Sequence, residues 1–306
     1  MNKWWLLLII LCLCGTAVAI LGILQGKNHN GPSQSSQAGR IVSLAPNLTE
    51  ILFALGLGER IAAVSNDSDY PAGAAEKKMI GTFWQPNTEA IIASRPDLVV
   101  TLSFEQQKSA ADTLNRLGYK VLTLKIEKIE ELLAAIVKIG AATGHQPQAA
   151  QLVKNTRDRI NDLQSKLNST NKVKVLWVVQ VEPLRIAAPN TFINQIIELA
   201  GGKNAIGPTI GQYPQISTEE LLRCSPEVII QSAMGSSNIS AQQHAAQAFW
   251  SKWPNLPAVK NKRIYVVDSD TTLRLGPRLP EAIELIAHCL HPDAFTQNRQ
   301  ETKQTR

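Results

Sequence analysis

The feature that most constrains the fold is a short pattern that occurs once in each half of the chain. In both halves a β-rich run precedes a Pro-Asn pair, and a glycine-containing helix stop, a Thr-Glu pair and a Pro-acid pair follow it. The first copy includes Pro46-Asn47-Leu48, Asn87-Thr88-Glu89 and Arg95-Pro96-Asp97-Leu98; the second includes Pro189-Asn190-Thr191, Ser217-Thr218-Glu219 and Ser225-Pro226-Glu227-Val228. Two tandem lobes of one design predict a cleft between them, which favours a binding protein over a single-site enzyme scaffold.

Composition is compatible with two folded lobes. The chain has 306 residues and 44% hydrophobic content, which is enough for two cores. Its net charge is +6, but the basic residues are scattered, and the densest run, residues 260–263, has no interleaved aromatic residues. This pattern predicts a solvated turn rather than a nucleic-acid surface. We expect a monomer without a nucleic-acid partner.

The N-terminus has the character of an export segment. Residues 4–24 carry no charge and are long enough to cross a hydrocarbon core of about 30 Å. Lys3 flanks them, which favours export of the remainder. Ala17-Val18-Ala19 fits a signal-peptide cleavage site, whereas the apolar run continues to Leu24, so a cleaved signal and an uncleaved anchor both remain open. Either route places the protein in the periplasm or on the outer face of the cytoplasmic membrane.

The hydrophobic pattern predicts an α/β fold with parallel sheets. Strand-like and helix-like runs alternate in two regions, with one long uninterrupted helical stretch between them. We therefore predict two α/β lobes with parallel sheets joined by a stiff connecting helix, with the ligand cleft between the lobes. The predicted organisation is a signal or anchor at 1–24, a flexible linker at 25–39, an N-terminal lobe at 40–145, a connecting helix at 146–170, a C-terminal lobe at 171–292 and a polar tail at 293–306.

Signals of catalysis and of resident cofactors are weak. The segment Asn47-Leu48-Thr49-Glu50 resembles a capping box at a helix start, and Gly56-Leu57-Gly58 follows a helix, where a helix stop is the better interpretation than a phosphate loop. Of the five histidines, His288 and His291 near the tail are the exception to a general lack of metal-ligand spacing, so neither a dedicated metal site nor a cofactor is predicted. Cys224 and Cys289 are interpreted as small buried hydrophobic residues in preference to a disulfide.

Two groups of residues are candidates for binding. The loop aromatics Phe83, Trp84 and Tyr213 suit flat anchors for a large, partly apolar ligand, although local loop packing explains each of them equally well. Glu89 and Glu219 occupy equivalent first-turn positions in the two lobes. They either complement the helix dipole or form matching carboxylates that dock on a basic, two-fold partner.

The chain resembles the vitamin B12 and ferric-siderophore substrate-binding proteins of ABC importers. The resemblance runs from about residue 40 to 291, and among the members the vitamin B12-binding ones are the most similar. It is carried by the segments Arg40-Ile41-Val42-Ser43-Leu44-Ala45-Pro46-Asn47-Leu48-Thr49-Glu50, Ser68-Asp69-Tyr70-Pro71, Pro86-Asn87-Thr88-Glu89, Tyr213-Pro214-Gln215-Ile216-Ser217-Thr218-Glu219 and Arg274-Leu275-Gly276-Pro277-Arg278.

The resemblance implies two Rossmann-like lobes bridged by one helix, with the ligand in the cleft and little closure when it binds. It also implies that Glu89 and Glu219 pair with permease arginines. The cleft aromatics of the vitamin B12-binding members correspond to Phe83 or Trp84 and to Tyr213, and their cleft aspartate corresponds to Asp270. Asp67 and Thr271 stand where those members have further aromatics. Triply anionic siderophore complexes require several cleft arginines, and the candidates here are Arg274 and Arg185.

The predicted function is therefore a receptor that captures a metal chelate and delivers it to a membrane permease driven by its ATPase. The chelate is a corrinoid such as cobalamin, or a ferric siderophore or heme, and the predicted ligand-binding residues are Asp67, Phe83, Trp84, Tyr213, Asp270 and Arg274. Two alternatives remain: an extracytoplasmic α/β enzyme with Asp270 or Asp67 as acid/base, and a ligand sensor without transport.

Overall fold

The computed structural model describes residues 39–233, 235 and 238–295. The first lobe is built on five parallel strands in the order β3-β2-β1-β4-β5. Its elements are β1 (Ile41–Ser43), α1 (Pro46–Ala54), a 3-10 turn (Gly58–Arg60), β2 (Ile61–Val64), α2 (Ala72–Ala75), β3 (Lys78–Met79), α3 (Thr88–Ala93), β4 (Leu98–Leu102), α4 (Glu105–Arg116), β5 (Val121–Leu124) and α5 (Ile129–Thr143).

The second lobe repeats this design with one change of direction. Its strands lie in the order β10-β9-β6-β7, with β8 also paired to β6, and the β6–β7 pair is antiparallel whereas the other pairs are parallel. Its elements, after the connecting helix α6 (Gln146–Leu167), are β6 (Val173–Val181), β7 (Leu184–Ile186), α7 (Phe192–Leu199), β8 (Gly202–Asn204), α8 (Thr218–Cys224), β9 (Val228–Ser232), α9 (Ile239–Trp250), α10 (Pro257–Lys260), β10 (Ile264–Val267), α11 (Ser269–Leu273) and α12 (Leu279–Leu290).

The central strands are buried on both faces because helices cover both sides of each sheet. Alternate residues of a strand point to opposite faces. In β6, Val175 and Trp177 accordingly belong to one core, whereas Leu176 and Val178 belong to another. This explains why the strands are near-continuous apolar runs rather than alternating ones, as expected for parallel sheet covered on both sides.

One hydrophobic core extends through both lobes and the connecting helix. It includes Leu48 and Ile136 of the first lobe, Leu163 of α6, and Ile196 and Ile283 of the second lobe. A second cluster lies on the outer face of each sheet. Because a packed apolar core resists sliding, the shared core fixes the relative orientation of the lobes.

The connecting helix is also joined to both lobes by charge. Arg157 of α6 contacts Glu130 of α5 at 2.9 Å, and Arg159 contacts Glu281 of α12 at 2.6 Å. Independently, the backbone N–H of Ile129 donates to Oε1 of Gln195 in α7 at 3.0 Å. The first turn of α5 is thus completed by a side chain from the opposite lobe.

The structure confirms the predicted fold class of two parallel-sheet α/β lobes, and it corrects one local interpretation. Helix α1 begins at Pro46 with Ala45 as its N-cap and has no side-chain cap, so the capping box is wrong. Glu50 instead pairs with a side chain of the other lobe. The predicted anchor at residues 4–24 lies outside the described residues. Within the residues that the structure describes, no helix is both long and apolar enough to cross a membrane.

Candidate functional site

A cavity of about 330 Å³ lies between the lobes at the carboxyl ends of the first sheet. The strand order reverses between β1 and β4, and a crevice forms there because the connections after the two strands run to opposite faces. Asn47 follows β1, whereas Leu102 ends β4. The residues that line the cavity are Pro46, Asn47, Asp67, Phe83, Trp84, Leu102, Phe104, Ile126, Phe192, Leu273, Arg274 and Leu275.

The aromatic wall of the cavity comes from a tight turn after β3. Gly81 adopts φ +94°, and a Cβ at this position would lie 2.5 Å from the carbonyl oxygen of Gln85, so the turn requires glycine. The turn presents Phe83 and Trp84 with their rings edge to face at 4.8 Å. The ring centroids of Phe83 and Phe104 lie 5.7 Å apart, so the three rings form one aromatic cluster. Trp84 nevertheless remains 61% exposed.

A buried glutamine holds the aromatic turn against the end of β4. Gln107 is fully buried, and its amide nitrogen donates to the carbonyls of Leu44 at 2.8 Å and Phe83 at 3.1 Å. Its Oε1 accepts from Thr101 Oγ1 at 2.6 Å and from the Leu102 N–H at 2.9 Å. Because each of these groups is satisfied, Gln107 fixes three segments of the cavity wall relative to one another.

The opposite wall comes from the short helix α11 and the residues that follow it. Asp268 caps this helix by accepting from the Thr271 N–H at 2.8 Å. The helix places Asp270 and Arg274 one turn apart, and the Arg274 Nη2 lies 2.8 Å from the Asp270 carboxylate. The Nη1 of Arg274 pairs with Asp69 of the first lobe. Arg274 therefore bridges the two lobes at the edge of the cavity.

A second ion pair crosses between the lobes nearby. Arg278 donates to both carboxylate oxygens of Glu50, at 2.6 and 2.9 Å, and its guanidinium lies 4.3 Å from the centre of the Tyr70 ring. The Glu50 side chain is 2% exposed. Burial raises the pKa of the Glu50 carboxyl above its usual value, although Arg278 acts in the opposite direction.

The two aspartates beside Arg274 differ in their titration. Burial raises the pKa of Asp270, against the effect of Arg274. At Asp69 desolvation also acts to raise the pKa, but hydrogen bonding and charge attraction from Arg274 prevail, so the pKa lies below its usual value. Asp69 is therefore the carboxylate that Arg274 keeps ionised.

The structure brings four of the six predicted ligand-binding residues to one cavity: Asp67, Phe83, Trp84 and Arg274. Asp67 is exposed and accepts a hydrogen bond from the Phe83 N–H at 3.0 Å. Asp270 is not one of the lining residues, but its carboxylate pairs with Arg274, which is. Tyr213 is 37% exposed and lies in the loop before α8, outside the set of lining residues, where its carbonyl accepts from Arg185 at 3.4 Å. Burial raises the pKa of the Tyr213 phenol.

The paired glutamates occupy equivalent surface helices. Glu89 lies in the first turn of α3 and Glu219 in the first turn of α8, and both are exposed. Asn87 caps α3 by accepting from the Ala90 N–H, and Ser217 caps α8 by accepting from the Glu220 N–H. After both helices, a left-handed residue with φ 47°, Arg95 in one lobe and Ser225 in the other, precedes a proline. The duplicated pattern therefore produces the same local geometry twice.

The side chains that could ligate a metal, and the two thiols, form no site in the described part of the chain. Among residues 39–233, 235 and 238–295, no group of three or more His, Cys, Asp or Glu side chains is placed to hold a metal ion. Cys224 and Cys289 are free thiols, and burial raises the pKa of each to about 11. What the cavity offers is an aromatic surface beside a neutralised guanidinium, which suits binding of an amphipathic molecule.

Comparison with known proteins assigns the family. Residues 41–271 match the family model described as periplasmic binding protein. The chain belongs to this family. The vitamin B12-binding protein of Vibrio parahaemolyticus is 28% identical over 261 residues, which cover 85% of this chain and 91% of that protein. An ABC transporter substrate-binding lipoprotein of Bacillus subtilis is 32% identical, with coverage of 84% and 81%, respectively.

The fold agrees with a solved member of the periplasmic binding protein family. A possible iron-binding, periplasmic solute-binding protein of Staphylococcus epidermidis superposes with a TM-score of 0.74 at 28% identity and covers 83% of this chain and 99% of that structure. The two-lobed architecture and the cleft between the lobes are thus those of a periplasmic binding protein.

Several residues that shape the cleft of this periplasmic binding protein carry no sequence signal of their role. Phe104, Ile126 and Phe192 look like ordinary core residues, and Gln107 looks like a surface residue of a polar helix start. Glu50 and Arg278 were visible only as members of family-like segments, because 228 residues separate them. Their pairing depends on the packing of the lobes.

Proposed function

We propose that this periplasmic binding protein is the substrate-binding receptor of an ABC importer and that it captures a metal chelate in the cleft. The observation that carries the proposal is the cavity between the lobes, where an exposed Trp84 and a Phe83–Phe104 pair provide an apolar aromatic wall. Its relatives include proteins named for vitamin B12 and for iron. A corrinoid, a ferric siderophore and heme all combine a broad planar or globular apolar surface with a polar edge.

Direct binding tests the proposal. We expect tryptophan quenching or calorimetry to detect at least one of cobalamin, cobinamide, heme and a ferric siderophore panel at about micromolar concentration. Trp84→Ala should then weaken binding by roughly 1–3 kcal/mol because buried aromatic area is lost. Leu117→Ala is the control, since Leu117 is exposed at the far end of α4, about 18 Å along that helix from the cavity. A protein that binds none of these chelates would contradict the proposal.

The proposed ligand site comprises Asp67, Phe83, Trp84, Tyr213, Asp270 and Arg274. Tyr213 belongs to a loop of the second lobe, so its contact with ligand requires a chelate that extends beyond the cavity. Tyr213→Ala then weakens binding of a bulky corrinoid more than that of a compact siderophore. Unchanged affinity for both would place Tyr213 outside the site.

We further propose that the receptor delivers its ligand to a permease, with its ATPase, through Glu89 and Glu219. Their exposure and their equivalent positions on α3 and α8 support this role. Glu89→Gln with Glu219→Gln should leave chelate affinity unchanged and reduce permease association, and the wild-type association should weaken with salt. Glu76→Gln with Glu182→Gln removes two other exposed carboxylates, one from each lobe, and is the control. Normal transport by the first double variant would leave Glu89 and Glu219 as helix-dipole partners.

We also propose that residues 1–24 export the protein and that residues 25–39 tether the body to the outer face of the cytoplasmic membrane. The family and the lipoprotein relative support an extracytoplasmic address. Carbonate extraction of membranes distinguishes the two forms, because an uncleaved anchor stays with the membrane whereas a cleaved periplasmic form is released.

A further inference from the structure

The charged groups around the cavity do not favour an anionic ligand. Among the described residues that line the cavity, the one cation is Arg274. Its Nη1 pairs with Asp69 and its Nη2 with Asp270, so two carboxylates face a single guanidinium. The Arg274 side chain is only 18% exposed, whereas the Asp69 side chain is 58% exposed. A ligand that approaches this edge meets carboxylate before it meets guanidinium.

The neighbouring arginine provides no free positive charge either. Arg278 is occupied by both carboxylate oxygens of Glu50, and its Nη2 also donates to the Asp270 carbonyl at 3.0 Å. A fourth carboxylate, Asp67, lines the cavity and is exposed. Four carboxylates thus accompany two guanidinium groups. If burial kept both Glu50 and Asp270 protonated, the remaining charges would cancel, so the cleft has no excess positive charge in any protonation state of that pair.

We propose that the cleft selects chelates without net negative charge, neutral or cationic and amphipathic, and that Asp69 and Asp270 impose this selection by neutralising Arg274. This inference rests on the proposed receptor function and names the class of ligand. An anionic chelate would have to displace a carboxylate from Arg274, which leaves that carboxylate beside the anion, or bind next to an arginine whose charge is already compensated. The first alternative costs binding energy and the second offers no attraction. A neutral or cationic chelate meets neither obstacle.

The wild-type protein tests the inference through the order of affinities. The probes are cyanocobalamin and a ferric trihydroxamate, which are neutral, diaquacobinamide, which is cationic, and a ferric tris-catecholate and heme, which are anionic. We expect the tightest probe to be neutral or cationic and the tris-catecholate to bind at least about 100-fold more weakly. Tightest binding of an anionic probe would overturn the inference and leave the receptor function standing. Binding of no probe would refute both.

Asp69→Asn with Asp270→Asn tests the residues. Uncovering Arg274 should raise the ratio of tris-catecholate affinity to cyanocobalamin affinity by about tenfold or more. Asp112→Asn with Asp162→Asn removes two exposed carboxylates from α4 and α6 and should leave that ratio unchanged. An unchanged ratio in the first double variant, or an equal rise in the control, overturns the role of Asp69 and Asp270.

Two measurements keep the test decisive if the double variant does not fold. In the wild type, added NaCl should not weaken tris-catecholate binding, because the cleft has no excess positive charge whose attraction salt could screen; weakening with salt would overturn the inference. Arg185 is exposed and contacts the Tyr213 carbonyl outside the cavity lining. Arg185→Gln should therefore leave tris-catecholate binding unchanged, and a tenfold loss would identify Arg185 as an anion receptor and overturn the inference.

Discussion

At Arg278 a guanidinium lies between a carboxylate of the other lobe and the ring of Tyr70. Removing one member of a buried ion pair leaves the other without compensation, which typically costs about 3–5 kcal/mol. We therefore expect Arg278→Met to lower the free energy of unfolding by about that amount at neutral pH. The same change at Arg159, whose partners Glu281 and Glu284 are exposed, should cost about 1 kcal/mol or less.

The pH dependence of Arg278→Met follows from Glu50. The folded-state pKa of Glu50 is already raised by burial, and loss of Arg278 removes the group that lowers it. When the pKa of a carboxyl is higher in the folded state than in the unfolded state, ionisation of that carboxyl destabilises the fold. The loss of stability is therefore fully present above the folded-state pKa and decreases as pH falls through it. Urea unfolding of the variant between about pH 8 and pH 5 should show the deficit shrinking. A deficit that is constant with pH would show that Glu50 is not its source.

The residues that line the cavity differ in how far the sequence could point to them. Phe83, Trp84 and Arg274 were candidates because they lie in distinctive loops and family-like segments. The structure places all three at one cavity, and their contact with ligand stays a prediction. Gln107 and the Glu50–Arg278 pair could not be identified, because their roles depend on contacts between distant segments. A local sequence pattern can indicate a loop residue of interest, but it cannot show which residues of the two lobes come into contact.

Among the elements, prediction was accurate where apolar periodicity is strong. The long helix predicted between the two lobes is α6 (Gln146–Leu167), whose buried Ile160, Leu163 and Leu167 recur every three or four residues. The antiparallel strand Leu184–Ile186 was missed, because three residues carry no readable period.

The start of α5 permits a test of coupling between elements. Its N-cap residue Lys128 makes no side-chain cap, and Gln195 of the other lobe accepts from the Ile129 N–H instead. We expect Gln195→Ala to lower the free energy of unfolding by about 1 kcal/mol, as loss of a helix cap does. Gln151→Ala, at an exposed position of α6, changes the same helix propensity without removing an interlobe bond and is the control. Equal effects would mean that the Gln195 contact contributes no stability.

At the scale of the whole molecule, the shared core predicts cooperative unfolding. Ile136 of the first lobe and Ile283 of the second are both fully buried in that core. We expect calorimetric and van't Hoff enthalpies to agree, and Ile283→Ala, which should cost about 2–5 kcal/mol, to accelerate amide exchange in β1 as well as in β6. Leu114→Ala alters the cluster of the first sheet's outer face and provides the comparison. If Ile283→Ala affected only β6, the lobes would be separate folding units.

The paired surface helices have a consequence for how a bound molecule is presented. The two exposed glutamates are nearly interchangeable in local geometry, yet the cavity between them has aromatic rings on one wall and an ion-paired arginine on the other. If the partner has a two-fold axis, rotating the receptor by half a turn pairs each carboxylate with an equivalent basic group. The ligand then faces the opposite way in otherwise identical complexes. Under the proposed docking through Glu89 and Glu219, delivery would be indifferent to ligand orientation, and the translocation path would accept either face first.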